Sequence, residues 1–196
     1  MTAPVPERRP RADAARNRQR LVDAARTAFT AGSEDTSLEG IARAAGVGIG
    51  TLYRNFPTRE DLVAAVYRAE LDAALDTVDD LLGVEPSAAQ ALRAFTGRYA
   101  AFVATKRGLA ETVRTGALRG AAEAAGTRER VNAAVQRFLD AGSLDGSLRD
   151  DVRADDVTAA LVGILLSTQD TPDTAQTERL LDLLLDGLTR RSARTA

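Results

Sequence analysis

The chain has no cysteine, no histidine and no tryptophan among its 196 residues, and aromatic residues make up only 4% of it. The missing cysteine and histidine exclude disulfides, cysteine–histidine zinc sites, cysteine nucleophiles and histidine-based acid–base catalysis. A chain of this length can bury a real core without a disulfide or a structural metal. The sequence also lacks a phosphate loop and a dinucleotide-binding fingerprint. We therefore expect no catalytic residues, no metal site and no cofactor.

Long apolar runs are missing as well. No run approaches the ~20 residues that a helix needs to span a bilayer. The arginine-containing first ten residues are not followed by the apolar core of a signal peptide. These features predict a cytoplasmic protein with no membrane partner.

The charges are unevenly distributed along the chain. Residues 1–60 contain 10 arginines and 7 acidic residues, whereas residues 61–196 contain 16 basic and 21 acidic residues. A basic N-terminal part joined to an acidic remainder indicates a polyanionic partner for one end of the chain. A solvated, arginine-rich tail without a partner explains the same counts, so charge alone leaves both interpretations open.

Apolar residues recur with helical spacing along most of the chain, and no useful stretch alternates like a strand. Residues 1–12 combine three prolines with three arginines and predict a disordered arm. The first helix is expected from about Asp13, because Leu21, Ala25 and Phe29 fall on one face. Breakers such as Gly108 separate the later helices, which are predicted over 87–105, 109–115, 117–125, 128–141, 155–167 and 174–191.

The stretch from Thr36 to Asn55 predicts two short helices that cross. Thr36 and Glu39 have the spacing of a capping box at the start of the first of them. Gly46 supplies the turn, and we expect it to have a positive φ. The apolar residues that pack the two helices together are Ile41, Ala45, Val47 and Leu52. This is the spacing of a helix-turn-helix, whose second helix can enter the DNA major groove, although an ordinary helical hairpin uses similar residues.

The second of these helices is expected from about Gly48 to Asn55, and Phe56-Pro57 closes it because the residue before proline avoids the helical conformation. Thr58 is expected to cap a long fourth helix that ends near Gly83.

Residues 16–66 resemble the DNA-binding domain of the TetR family of transcriptional repressors. The motifs that carry the resemblance are Ile41-Ala42, Ala45-Gly46-Val47, Gly50-Thr51-Leu52-Tyr53 and Phe56-Pro57-Thr58-Arg59-Glu60-Asp61-Leu62. The resemblance implies phosphate contacts at Thr36, Ser37, Tyr53 and Arg59 and further DNA contacts at Thr51, Arg54 and Asn55. With Glu39, Gly48 and Ile49 added, the candidate DNA-binding residues are Thr36, Ser37, Glu39, Gly48, Ile49, Thr51, Tyr53, Arg54, Asn55 and Arg59.

Gly48 and Ile49 depart from the family pattern, which has Ser or Thr at the first position and a polar or basic residue at the second. Gly48 caps a helix more weakly than serine does. Ile49 cannot hydrogen-bond a base edge, although it can contact a thymine methyl. Sequence readout is therefore expected to depend more on Thr51, Arg54, Asn55 and Glu39. The arginine-rich arm either adds phosphate or minor-groove contacts or never orders.

For the rest of the chain the same resemblance implies a helical region that binds a small molecule and dimerises. Lys106-Arg107-Gly108-Leu109-Ala110 resembles the SbtR-like subgroup. Apolar stripes on the last two helices predict a homodimer interface, unless they only close the core of one subunit, at Val157, Leu161, Ile164, Leu165, Leu181, Leu184, Leu185 and Leu188. The candidate ligand-binding residues, which equally well fill a core, are Tyr67, Phe95, Arg98, Tyr99, Phe102 and Phe138.

These observations predict an all-α protein with a disordered basic arm (1–12), a helix-turn-helix DNA-binding domain (13–58) and a helical effector-binding and dimerisation domain (59–196). The predicted function is that of a ligand-responsive regulator, a repressor by resemblance. It would bind double-stranded DNA at a palindromic operator as a homodimer and be released by a small, largely apolar effector. The alternative is a helical small-molecule-binding or scaffolding protein that does not recognise DNA. An enzyme is disfavoured because the acidic residues lack the spacing of a metal site.

Overall fold

In the computed structural model, the described residues are 9–31, 37–112, 126–168 and 174–190. This part of the chain is helical apart from turns and one isolated antiparallel bridge between Leu148 and Thr189, so the all-α prediction is confirmed. The helices are α1 (Arg9–Ala31), α2 (Leu38–Ala44), α3 (Ile49–Asn55), α4 (Arg59–Leu75), α5 (Thr77–Val84), α6 (Ala88–Thr112), α7 (Thr127–Asp145), α8 (Ala154–Ser167) and α9 (Thr174–Leu188).

The described chain forms two compact units. The first contains its residues up to Ala69 together with 105–112, and the second contains 70–104, 126–168 and 174–190. The division lies inside α4, whereas we predicted a boundary after residue 58. Residues 59–69 of α4 belong to the first unit, and Leu62 and Val66 among them are completely buried.

The first unit is built around the apolar face of α1, which packs on α2 and α3. Its core consists of aliphatic and aromatic side chains that are nearly inaccessible: Leu21, Val22, Ala25, Phe29, Ile41, Ala42, Leu52 and Phe56. Burial of the Leu, Val, Ile and Phe side chains among them contributes ~1.5–3 kcal/mol each. Two arginines cover the edge of this core, because the guanidinium of Arg18 lies 4.6 Å from the Phe56 ring centre and that of Arg59 lies 5.4 Å from the Phe29 ring centre.

In the second unit, α7 packs against α5 and α8, and α8 packs against α9. The turn after α7 ties the start of α6, since the amides of Ala88 and Ala89 donate to Asp145 Oδ2 (2.8 Å) and Ser147 Oγ (3.1 Å). Leu148 is buried against Gly142, and a Cβ added to this glycine would lie 2.5 Å from the leucine side chain. Any larger residue at this point of α7 would therefore force Leu148 or the backbone to shift.

Four expectations about helix limits are wrong. α1 begins at Arg9, before Asp13, because proline is tolerated in a first helical turn, where the backbone N–H has no partner. The single helix predicted after Thr58 is two helices that meet at Asp76. Gly108 does not end α6, because one glycine costs a helix only ~1 kcal/mol relative to alanine. Gly142 lies within α7, which ends at Gly146 with a φ of 74°.

Residues 1–8 of the predicted arm, residues 113–115 and the whole segment predicted over 117–125 lie outside the described residues. No helix in the described ranges is both long enough and apolar enough to pass through a lipid bilayer.

Candidate nucleic-acid interface

The turn between α2 and α3 is set by Gly46, which has the predicted positive φ, 66°. The amides of Gly46 and Val47 donate to the carbonyls of Arg43 and Ala42, each at 3.0 Å, so the chain folds back directly at the end of α2. Gly48 follows in an extended conformation and starts α3. The two short helices contact each other, and Ile41, Ala42 and Leu52 on them are buried, as a helix-turn-helix requires.

The N-terminus of α2 is exposed and is capped by Ser37. Its hydroxyl accepts a hydrogen bond from the Gly40 amide at 3.0 Å. The predicted capping box of Thr36 and Glu39 is therefore wrong, because the N-cap is Ser37, one residue later. Thr36 lies outside the described residues, and Glu39 is an exposed residue of the first turn. Serine at this position leaves its remaining lone pair and the free amides of the first turn available to an anion.

The outer surface of α3 contains exposed side chains of the kinds that contact DNA in a helix-turn-helix. Tyr53 is 46% exposed, Ile49 is 38% exposed, and Arg54 is exposed, whereas Leu52 is completely buried against the core. Asn55 was expected at the exposed end, but it is only half-exposed and its amide donates to the Thr51 carbonyl at 2.8 Å. Arg54 and Tyr53 therefore supply the accessible polar groups of this helix.

The start of α4 is fixed by the predicted cap at Thr58. The Thr58 hydroxyl accepts from the Asp61 amide (3.1 Å), and the Asp61 carboxylate accepts from the Thr58 amide (3.1 Å), which makes a reciprocal capping box. Arg59 is the next residue and is half-buried, with its guanidinium over Phe29. The capping box fixes the helix that begins with this cation, directly after the short segment that follows α3.

The candidate ligand residues fall into both units. Tyr67 is buried in the first unit. In the second unit, Phe95 lies 5.9 Å from Tyr99 and 5.2 Å from Phe138, and Tyr99 lies 5.7 Å from Phe102, measured between ring centres. These four rings are buried together, and Arg98 beside them is exposed. A role for any of them in binding a small molecule stays a prediction.

A polar cluster joins α7 to the start of α8 near these rings. Asp155 Oδ1 accepts from Arg128 Nε (2.8 Å) and from Asn132 Nδ2 (2.9 Å). The hydrogen bonds from Arg128 and then from Asn132 lower the pKa of Asp155 to about 2. In the described parts of the chain, no group of three or more acidic residues is arranged to hold a metal ion.

Six of the eight predicted dimer residues are buried within the single chain, namely Val157, Leu161, Leu165, Leu181, Leu185 and Leu188. Ile164 and Leu184 are half-buried. Leu166 and Leu183, which the prediction does not include, are 51% and 70% exposed on the outer faces of α8 and α9. A role for any of these residues in a dimer stays a prediction.

Comparisons with known proteins agree with this geometry. Residues 21–66 match the family model for bacterial regulatory proteins of the tetR family, and residues 87–190 match the model for the C-terminal domain of SbtR-like transcriptional regulators. An HTH-type transcriptional regulator of Staphylococcus aureus (strain USA300) is 43% identical over 63 residues, which are 32% of this chain and 34% of that protein. The match thus spans about a third of the length of these curated relatives.

Two solved structures match over nearly their whole length. The TetR transcriptional regulator SCO0520 from Streptomyces coelicolor is 42% identical, with a TM-score of 0.74, over 89% of this chain and 99% of that one. A TetR transcription regulatory protein from Mycobacterium vanbaalenii is 33% identical, with a TM-score of 0.70, over 92% of this chain and 99% of that one. Together with the helix-turn-helix and its exposed reading surface, these matches show that the chain belongs to the TetR family of transcriptional regulators, which are DNA-binding proteins and not enzymes.

Proposed function

We propose that this regulator is a repressor that binds a palindromic operator as a homodimer in the cytoplasm and is released by a small, largely apolar effector. The observation that carries the DNA-binding part is the division of α3 into two faces. Leu52 is fully buried, while Tyr53 and Arg54 face outward beside Ile49. A phenol and a guanidinium on an exposed helix suit phosphate oxygens and base edges.

The ends of the neighbouring helices support the same surface. Ser37 opens α2 with free first-turn amides, and Arg59 opens α4 with a cation. Helix N-termini and arginines attract phosphate, so they fix the position of α3 on the duplex without reading sequence. Base discrimination then depends on the first residues of α3.

A homodimer is proposed through the outer faces of α8 and α9. Leu166 and Leu183 are exposed, and the half-buried Ile164 and Leu184 lie on the same two helices. The five buried leucines and the buried Val157 of these helices would hold the pair of helices together inside each subunit. Two copies of α3 in a symmetric dimer would reach successive major grooves when they lie ~34–36 Å apart.

Release by an effector is proposed to act through α4, because this helix contributes residues to both compact units. A small molecule that binds more tightly to one conformation of the second unit shifts the population of DNA-competent dimers. A tenfold change in operator affinity needs only ~1.4 kcal/mol of coupling. The proposed binding surface is the aromatic cluster Phe95, Tyr99, Phe102 and Phe138 of the second unit, with Arg98 as a candidate polar group.

The DNA-binding proposal is tested by selecting bound duplexes from a random pool with the full chain and then measuring affinity by fluorescence anisotropy. We expect a palindromic sequence, with affinity that falls steeply as salt rises. A double variant, Tyr53→Ala with Arg59→Ala, should bind all sequences more weakly, whereas Arg190→Ala in the second unit serves as a control with wild-type affinity. Full affinity of the double variant would show that the surface is misassigned, and selection of no sequence would favour a binding protein without DNA recognition.

A further inference from the structure

The first turn of the reading helix has an unusual surface. Gly48, Ile49 and Gly50 are all exposed, and Ile49 provides the single side chain of this stretch. A Cβ added at Gly48 would meet nothing within 4 Å, and one added at Gly50 would meet only the end of Arg54, at 4.0 Å. The start of α3 therefore presents one apolar side chain between two glycines, and its side chains offer no hydrogen-bond donor or acceptor.

Ile49 shares a face of α3 with the exposed Tyr53. It lies one helical turn before Tyr53, as Gly50 lies one turn before Arg54, and the buried Leu52 points to the core instead. In helix-turn-helix proteins the N-terminal residues of the second helix contact base edges. Ile49 thus stands where a base would be read, and the glycines beside it allow the backbone to approach the groove closely.

Only one apolar group is displayed by the bases in the major groove, the C5-methyl of thymine. An exposed branched aliphatic side chain gains free energy by covering such a methyl and gains nothing from a hydrogen-bonding base edge. We propose that Ile49 is a specificity residue that selects thymine by packing against its C5-methyl in each half-site. This inference rests on the proposed DNA-binding function.

The neighbouring residues do not replace this contact. The amide of Asn55 donates to the Thr51 carbonyl, and Thr51 is half-buried, so neither supplies an exposed side chain at the start of the helix. Arg54 lies one turn further along and is suited to guanine or phosphate. The operator is therefore expected to contain a thymine that is recognised without a hydrogen bond, next to positions set by Arg54.

The test replaces each thymine of the selected duplex, one symmetric pair at a time, by deoxyuridine, which lacks only the methyl. At one position we expect the wild-type chain to lose about fourfold in affinity per half-site, the ~0.8 kcal/mol of one buried methyl. Ile49→Ala should bind the thymine and uracil forms of that position equally, while Ile49→Val, which keeps a branched apolar side chain, should retain most of the discrimination.

Tyr53→Phe serves as the comparison variant, since loss of a phosphate contact weakens both forms by the same factor. Wild-type affinity that is indifferent to every thymine-to-uracil change would overturn the inference while leaving DNA binding intact. Discrimination that persists in Ile49→Ala would overturn it as well, because another residue would then contact the methyl. Selection of no duplex at all would refute the proposed function and this inference together.

Discussion

Gly46→Ala is the most informative single substitution in the first unit, because Gly46 sets the turn between α2 and α3. Gly46 has a φ of 66°, a left-handed conformation that alanine adopts only at a cost of ~1–2 kcal/mol. Space is not the obstacle, because an added Cβ would lie 3.7 Å from the flexible end of Arg20, an ordinary contact. The destabilisation therefore comes from the backbone alone.

The expected net loss is about 1 kcal/mol, since alanine also restricts the unfolded chain and so returns ~0.4–1 kcal/mol. Gly50→Ala is the matched control in the same short segment. Gly50 lies inside α3, where alanine is favoured and an added Cβ has room, so this variant should be more stable by ~0.5–1 kcal/mol. The stability of Gly46→Asn should lie between that of Gly46→Ala and that of the wild type, because asparagine tolerates the left-handed region.

Amide hydrogen exchange of residues 38–55 in the full chain measures this loss locally, without requiring the second unit to unfold. We expect exchange in α2 and α3 to be about fivefold faster in Gly46→Ala and slower in Gly50→Ala, with α7 unchanged in both. Equal exchange in Gly46→Ala and the wild type would mean that the turn does not have the left-handed geometry on which the helix-turn-helix depends.

Three further predictions concern the second unit. Thr158 is buried and its hydroxyl has no hydrogen-bond partner among the described residues, so Thr158→Val should raise the free energy of unfolding by ~1 kcal/mol. The Thr168 hydroxyl does form hydrogen bonds, so Thr168→Val should lower the free energy of unfolding by a similar amount. Urea titrations measure both changes. Gly142→Ala should lower the melting temperature, because the added Cβ makes a clash costing ~1–3 kcal/mol. Gly97→Ala on α6, where the added Cβ has open space, should not lower it. Equal melting temperatures of Gly142→Ala and the wild type would contradict the close packing. The pKa of Asp155 is lowered to about 2 from an ordinary value of 3.8, so its contribution to stability is complete above pH 3.8 and disappears as the pH falls towards 2. In Asp155→Asn the urea midpoint should therefore depend less on pH across that range than in the wild type. An equal pH dependence of the midpoint in both proteins would refute the assignment.

The sequence was most informative where local rules coincide with tertiary demands. Gly46, the apolar spacing around it and the cap at Thr58 all have short-range causes, and the structure contains each of them as predicted. The limits of helices were less predictable. The interruption at Asp76 follows no glycine or proline, and the continuation of α6 through Gly108 has no local signal.

The roles of individual apolar residues were hardest to predict, because periodicity identifies a buried face but not what buries it. Val157, Leu161 and Leu185 fit a dimer interface and an internal core equally well in sequence, and the structure buries them within one chain. The restraint on Asn55 also depends on side-chain geometry, because the sequence does not show that its amide donates to the Thr51 carbonyl. Such assignments need the three-dimensional arrangement.

We propose that a dimer presents two copies of α3 to one face of duplex DNA. A hydroxyl-radical footprint of the full chain on its selected duplex measures the separation of the two copies. We expect two symmetric protected blocks whose centres lie about one helical turn, 10–10.5 base pairs, or a multiple of it apart. A single block, or uniform protection without a sequence-defined centre, would contradict it.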